Sequence, residues 1–288
     1  MMLRSDFIQA IQKYSVSQTF SDGTEYTGIS VRTVEKLSED FKTTGRHVEV
    51  SALENQILPD RYARNMKTFS LENQLLLLKS QVTVVGLGGL GGLVIEILAR
   101  EGVGRLNLID GDNFEDTNLN RQLLCTTELL SVSKVEAAIK RVSEVNPSID
   151  IDSFDEYLDN NNADDMIDGS DVVVDCLDNL KTRFILEKAA KRNGIPLVSA
   201  AIAGNTGHVT TIFPEDPGLA SVYGELADDK QKGAELSLGC LSHTVSFLAS
   251  IECSEVIKIL LKNGKLLQNQ LLIADLAENI FEILDLEI

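Results

Sequence analysis

VTVVGLGGLGGLVIEILARE, residues 82–101, is the stretch on which the fold turns. It opens on a β-branched, uncharged run, the composition of a strand buried on both faces. It closes on LVIEILARE, whose apolar residues recur at helical spacing until Gly102 and Gly104 stop it. Between the two lie Gly86, Gly88, Gly89, Gly91 and Gly92. Glycines let the backbone turn sharply and approach phosphates, and a helix N-terminus offers free N–H groups and the positive end of a dipole. Strand, glycine loop and helix in this order predict a nucleotide-binding unit; the bland alternative is tight helix–strand packing with no ligand.

The pattern continues outward in both directions. Residues 71–78 read as a helix leading into the first strand. RLNLID (105–110) is a second strand, and SKVEAAIKRVSEVNP (133–147) an amphipathic helix with Ser133 as cap and Pro147 past its end. IDIDSF (149–154), DVVVDC (171–176) and IPLVSA (195–200) supply three more strands, with a helix over 179–193. Strands alternating with helices of this length imply a Rossmann-like α/β fold, a doubly wound and mostly parallel sheet. GHVTTIF (207–213) then alternates like a strand with one solvated face. Residues 214–238 are polar and irregular, 240–261 form one long helix, and LLIADL and NIFEILDL read as a closing antiparallel hairpin. Residues 1–59 carry no glycine loop or long apolar strand. They give helices over 6–14 and 31–41, with SDGTEYTG as a turn between them, and form a small N-terminal appendage to a nucleotide-binding domain over 60–288.

Three further motifs carry chemistry. Asp110 ends the second strand about 20 residues after the glycines, where a carboxylate accepts hydrogen bonds from ribose hydroxyls. Asp112, close by, reads as solvated surface. To this point an NAD-dependent oxidoreductase fits as well as an ATP enzyme. TNLNRQ (117–122) and Lys134 separate the two: Arg121 and Lys134 are cations beside the cleft of an acidic chain, and a triphosphate needs such charges when pyrophosphate leaves. DCLDN (175–179) lies at the carboxyl end of the fourth strand, where ligands of open α/β sheets bind. Asp178 is placed to hold Mg²⁺ on the phosphates, as a hard oxygen ligand, and can also cap the helix that follows.

Bulk composition narrows the class. A formal charge of -18 argues against a nucleic-acid or membrane-surface binder, and 43% apolar residues suffice for a core. No apolar run reaches the ~18–20 residues of a membrane span. Cys125, Cys176, Cys240 and Cys253 form no CxxC pair, which speaks against a zinc site and for a reducing, cytoplasmic setting. Cys240 is the one thiol with a catalytic reading, near a helix N-terminus; Cys125, Cys176 and Cys253 read as packing. His208 and His243 read as structural.

RYARN (61–65), GLGGLGG, LIDGD, TNLNRQ, SKVEAA, DCLDN and SLGCLSHTVSFLASIECSEVIK, in this order and spacing, resemble the ubiquitin-activating superfamily in its HesA/MoeB/ThiF form, over more than three quarters of the chain. The resemblance implies a dimeric adenylyltransferase of a zinc-free branch. Such an enzyme binds ATP with Mg²⁺ and joins its α-phosphate to a carboxylate, the C-terminal Gly-Gly carboxylate of a ubiquitin-fold sulfur carrier. It implies a nucleotide-binding set of Gly86, Gly88, Gly89, Gly91, Asp110, Asn118 and Asn179. Arg121, Lys134 and Asp178 then act at the reacting centre, and Arg64 reaches the ATP site of a second copy in a homodimer. Two rivals stay beside it: adenylylation of a small-molecule or tRNA-borne carboxylate, which a basic patch of Lys181, Arg183, Lys188, Lys191 and Arg192 would favour, and an NAD-dependent oxidoreductase.

Overall fold

The structure, a computed structural model, describes residues 2–224 and 238–286. In chain order its elements are α1 (Met2–Tyr14), β1 (Val16–Thr19), β2 (Glu25–Ile29), α2 (Val31–Phe41), α3 (Gly45–Glu54) and β3 (Leu58–Pro59). Then come α4 (Leu71–Lys79), β4 (Gln81–Val85), α5 (Gly89–Glu101), β5 (Arg105–Ile109), α6 (Lys134–Val145), β6 (Asp150–Phe154), α7 (Ala163–Ile167), β7 (Val172–Asp175) and α8 (Leu180–Asn193). The last are β8 (Leu197–Ala203), β9 (Thr206–Ile212), α9 (Ala220–Tyr223), α10 (Ser242–Leu261), β10 (Gln270–Asp275) and β11 (Ile280–Asp285).

Eight strands form one sheet in the order β11-β10-β9-β8-β7-β4-β5-β6. β6, β5, β4, β7 and β8 run parallel, and β9, β10 and β11 continue antiparallel. This is the Rossmann-like α/β sheet with an antiparallel extension that the sequence predicts. β4 and β7 are central and apolar because helices cover both faces: α5 and α10 pack on one side, α7 and α8 on the other. From β4 the chain winds outward through β5 and β6, then returns to β7 on the other flank. The carboxyl ends of β4 and β7 therefore part at a switch point, which leaves a crevice there.

The N-terminal 59 residues are more ordered than a turn between two helices. SDGTEYTG is split: its first residues turn, and Glu25–Ile29 pairs with Val16–Thr19 as a hairpin to which β3 adds in parallel. α3 was not expected. Thr44 caps it by accepting the His47 N–H, and it buries Val48, Glu49, Ala52 and Leu53. Phe7, Ile11, Ile29, Val34, Leu37, Val48, Ala52 and Ile57 give this layer its own core.

The layer is bonded to the sheet rather than loosely appended. Arg46 pairs with Asp150 at 2.7 Å. The buried Glu49 carboxylate accepts from Ser148 Oγ at 2.8 Å and Tyr62 Oη at 3.1 Å, with Arg61 at 3.4 Å. Gly45 meets Ser148 so closely that a Cβ would lie 2.8 Å from its Oγ. These bonds fix the layer at the β5–β6 end of the sheet.

Candidate active site

The crevice opens into a cavity of about 1270 Å³ between the glycine loop, the ends of β5 and β7, and the β8–β9 hairpin. Gly86 turns the chain out of β4 with φ +90, a conformation that L side chains rarely adopt, and a Cβ there would lie 2.7 Å from the Cys176 carbonyl. Gly88 is the N-cap of α5 and has no side chain to satisfy the first N–H groups, so they are presented to the cavity. Gly89 begins the helix with Val245 behind it. Gly91 plays another part. It does not line the cavity; a Cβ there would stand 1.8 Å from the Gly86 carbonyl oxygen, so its bare Cα lets the loop close on the helix.

Asp110 anchors this loop as well as facing the cavity. Its Oδ2 accepts the Leu87 N–H at 2.6 Å and its Oδ1 the Asp112 N–H at 2.8 Å. Burial pushes its carboxyl above the usual range, against the pull of Lys134. Lys134, the first residue of α6, is buried and aims its Nζ at Asp112 Oδ2, 2.8 Å away, and at Asp110 Oδ2, 3.8 Å away. Asp112 is thus part of the cavity wall and not spare surface. Burial opposes its charge, but the Lys134 ammonium and the Tyr157 hydroxyl hold it below the usual carboxylate range. Arg121 lines the cavity with its Nη1 on the Thr117 carbonyl at 2.8 Å and on Asn120 Oδ1 at 2.9 Å.

Asp178 and Asn179 divide the work at the end of β7. Asn179, not Asp178, caps α8: its Oδ1 accepts the Thr182 N–H at 2.9 Å. The exposed Asp178 carboxylate, touched by the Asn179 amide at 3.5 Å, stays turned to the cavity. Beneath it, Arg183 is buried and donates to Asp175 Oδ2 at 3.1 Å, to the Ala200 carbonyl at 2.7 Å and to the Leu177 carbonyl. Asp175 in turn accepts from Ser199 Oγ at 2.7 Å and from the Leu177 N–H at 3.1 Å. The loop that carries Asp178 is therefore pinned from below.

Two expected residues lie elsewhere. Asn118 ends a 3-10 turn and spends its Oδ1 on the Glu115 N–H at 3.0 Å, outside the cavity wall. Arg64 is exposed, donates to Ser21 Oγ at 3.4 Å and takes no part in its own chain's cavity. Gln122, quoted in TNLNRQ with no role, does line the cavity: it is buried and its Nε2 stands 3.3 Å from where a Gly88 Cβ would be. His208 also faces the cavity, with Nε2 2.8 Å from Tyr223 Oη; burial, then the Arg183 charge, lower its pKa to about 4.

Among the cysteines, Cys240 lines the cavity and sits just before α10, which starts two residues later than its sequence suggests. Cys176 lies past the end of β7, on the cavity floor. Burial pushes its thiol and that of Cys253 well up. The basic run on α8 makes no patch. Arg183 is buried, Lys191 pairs with Glu187 at 2.6 Å, and Arg192 with Asp164 at 2.7 Å.

The cavity thus brings together a glycine loop at a helix N-terminus, Asp110, Arg121, Lys134 and Asp178 at a switch point. The ThiF family profile covers residues 62–287. The chain belongs to the ThiF family. It is 35% identical over 225 residues to the SAMP-activating enzyme E1 of Haloferax volcanii, a match that covers 77% of this chain and 83% of that one. It is 34% identical over 228 residues to the molybdopterin-synthase adenylyltransferase of Haemophilus influenzae, covering 77% and 93%. Its fold is shared with E. coli MccB solved with ATP, at a TM-score of 0.67 and 19% identity, covering 98% of this chain and 87% of that one. This ThiF-family chain is an enzyme of the adenylyltransferase class.

Proposed function

We propose that the chain binds ATP in the cavity and adenylylates the C-terminal Gly-Gly carboxylate of a ubiquitin-fold carrier protein, releasing pyrophosphate. The observation that carries this reading is the meeting of Arg121, Lys134 and Asp178 in one cavity with the uncapped N-terminus of α5. The cradle fits a polyphosphate, because Gly88 and Gly89 present only their own backbone to the cavity, with the Gln122 and Val245 side chains beside them. Arg121 and Lys134 then face the charge that builds on the leaving pyrophosphate, and they do so from fixed positions, which is where electrostatic catalysis gains most. Asp178 supplies the oxygen ligand for Mg²⁺, whose chemistry is to neutralise phosphate charge. Asp110 takes the ribose. An NAD-dependent oxidoreductase has no use for that set of cations and acid.

Arg64, idle in its own cavity and exposed, serves the site of a second copy in a homodimer. The N-terminal layer has its own core and shares a second one, Leu53 and Leu58 with Tyr62 and Leu78, with the rest of the chain. A second reading comes from that layer. The curated relatives match 69–86% of the chain, whereas MccB, solved also with MccA, covers 88–98% of it in fold. A peptide terminal carboxylate is therefore the alternative acyl substrate, ahead of a small-molecule or tRNA-borne one.

The test is a substrate panel. Enzyme, ATP and Mg²⁺ are incubated with carriers ending in Gly-Gly and with short peptides bearing free or amidated C-termini, and acyl-adenylate is read by mass spectrometry. Adduct on the carriers supports the first reading. Adduct on free-acid peptides alone selects the second, and adduct on neither rejects both.

A further inference from the structure

Tyr157 follows β6 at the outer rim of the cavity and is 68% exposed, yet it is held in place. Its hydroxyl donates to Asp112 at 2.5 Å. Its own carbonyl accepts from Asn162 Nδ2 at 2.9 Å, and Asn162 closes the following turn by accepting the Asp159 N–H at 2.7 Å. Gly111 lies under the ring. A Cβ there would stand 2.8 Å from Tyr157 Cγ, 2.8 Å from its backbone N and 2.9 Å from Cδ1, while Gly111 has no positive φ, so its lack of a side chain makes room for Tyr157, ring and main chain alike. Among the described residues no other aromatic ring stacks on it.

Two geometric facts give the ring a use. First, the glycine loop ends β4 and the ribose acid Asp110 ends its neighbour β5. A nucleotide lying from phosphates to ribose along that direction places its base next, at the end of β6, where Tyr157 stands. Second, Asp112 is shared. One oxygen takes the Tyr157 hydroxyl and the other the Lys134 ammonium at 2.8 Å. Asp112 and Lys134 are also joined through the backbone, the Lys134 N–H donating to the Asp112 carbonyl at 3.0 Å. A carboxylate that already accepts one strong hydrogen bond holds its second partner less tightly, so Lys134 is freer to turn to a phosphate.

We propose that Tyr157 is a positioning residue of the nucleotide site: its ring seats the purine base, and its hydroxyl, through Asp112, sets how readily Lys134 is released to the phosphates. The proposal rests on the reading of the cavity as an ATP site. Asp112 holds the phenol above its ordinary pKa, which keeps it a donor across the neutral range.

The chain has no tryptophan, so Tyr157→Trp gives a lone reporter on the site itself. Its fluorescence is titrated with ATP and with adenosine. Tyr157→Ala and Tyr157→Phe are titrated by calorimetry beside the wild type. In Tyr157→Ala adenosine weakens about tenfold, the loss of one base–aromatic stack, and ATP about 30- to 100-fold, because the hydroxyl is lost as well. In Tyr157→Phe adenosine stays within about twofold, because the ring remains, while ATP weakens about three- to tenfold. That split is one a merely structural role would not produce, and melting temperatures of all variants serve as the control. If Tyr157→Ala binds both ligands as the wild type does, or Tyr157→Phe weakens both equally, the proposal is overturned while the ATP site stands. If the wild type binds neither ligand, the ATP reading falls and the proposal with it.

Discussion

Replacing Arg183 by methionine removes one charge from the most buried polar cluster in the molecule. Arg183 and Asp175 are 4% and 0% exposed, and the pair is joined at 3.1 Å. Glu252, also fully buried, stands near both; burial, and then the Asp175 charge, hold its carboxyl well above the usual range. The Arg183–Asp175 pair itself sets one cation against one anion. Burial is the largest influence and works against the Arg183 charge; Asp175 first, with Tyr223, Glu252 and Cys176, together more than offset it, leaving the guanidinium pKa raised. Without the guanidinium, Asp175 is a buried and uncompensated anion, which costs about 3–5 kcal/mol when one partner of such a pair is lost. In a chain of this size that is a fall in Tm of about 6–20 °C. The double variant Asp175→Asn with Arg183→Met leaves no net charge; the amide oxygen can still accept the Leu177 N–H while the amide NH2 donates to Ser199 Oγ. It recovers at least about 2 kcal/mol of the loss, because removing both partners of a buried pair is far milder than removing one. Thermal and urea unfolding of wild type, both single variants and the double variant close the cycle. A Tm for Arg183→Met within about 2 °C of wild type, or a double variant no more stable than the sum of the singles, would refute this account.

Three other expectations concern the loop, the cations and pH. Gly91→Ala drives a Cβ to 1.8 Å from the Gly86 carbonyl oxygen, so the loop must open; the rise in Tm that ATP gives the wild type is lost in the variant, as differential scanning fluorimetry reads. Arg121→Ala and Lys134→Ala each lower the rate of adenylate formation about 10²–10³-fold, and Arg121→Ala moves stability by no more than about 0.5 kcal/mol, measured by stopped assays and unfolding curves. His208 titrates near 4 in the folded chain against 6.5 unfolded. The unfolded state thus binds the proton first, and stability is full above about pH 7 and falls by about 3 kcal/mol as pH drops from there to about 4. His208→Gln flattens that part of the stability–pH curve.

Much of the fold was legible because the parallel strands carry the signal in themselves. VTVV and VVVD are buried throughout and mostly valine since both their faces are covered, and the helix after β5 announces its ends with Ser133 and Pro147. The N-terminal layer was not legible for the opposite reason. β1 leaves most of its side chains exposed, so its four residues show no alternation, and α3 starts on a glycine and buries a glutamate. Only tertiary partners such as Ser148 and Tyr62 explain Glu49. At the site, the placement of Asp110 and Asp178 in the cavity was legible, because it follows from position at a strand end. Asn118 was not, because its side chain is consumed by a local cap, and Asp112, Gln122 and Tyr157 were not, because their neighbours come from distant parts of the chain.

The central claim is that this cavity joins ATP to a carboxylate. It is tested most directly by exchange of labelled pyrophosphate into ATP, with purified enzyme, Mg²⁺ and a carrier or peptide bearing a free C-terminal carboxylate. The account predicts exchange that requires the free carboxylate, vanishes when the C-terminus is amidated and vanishes in Asp178→Ala. Exchange that proceeds equally with the amidated substrate, or survives intact in Asp178→Ala, would contradict it.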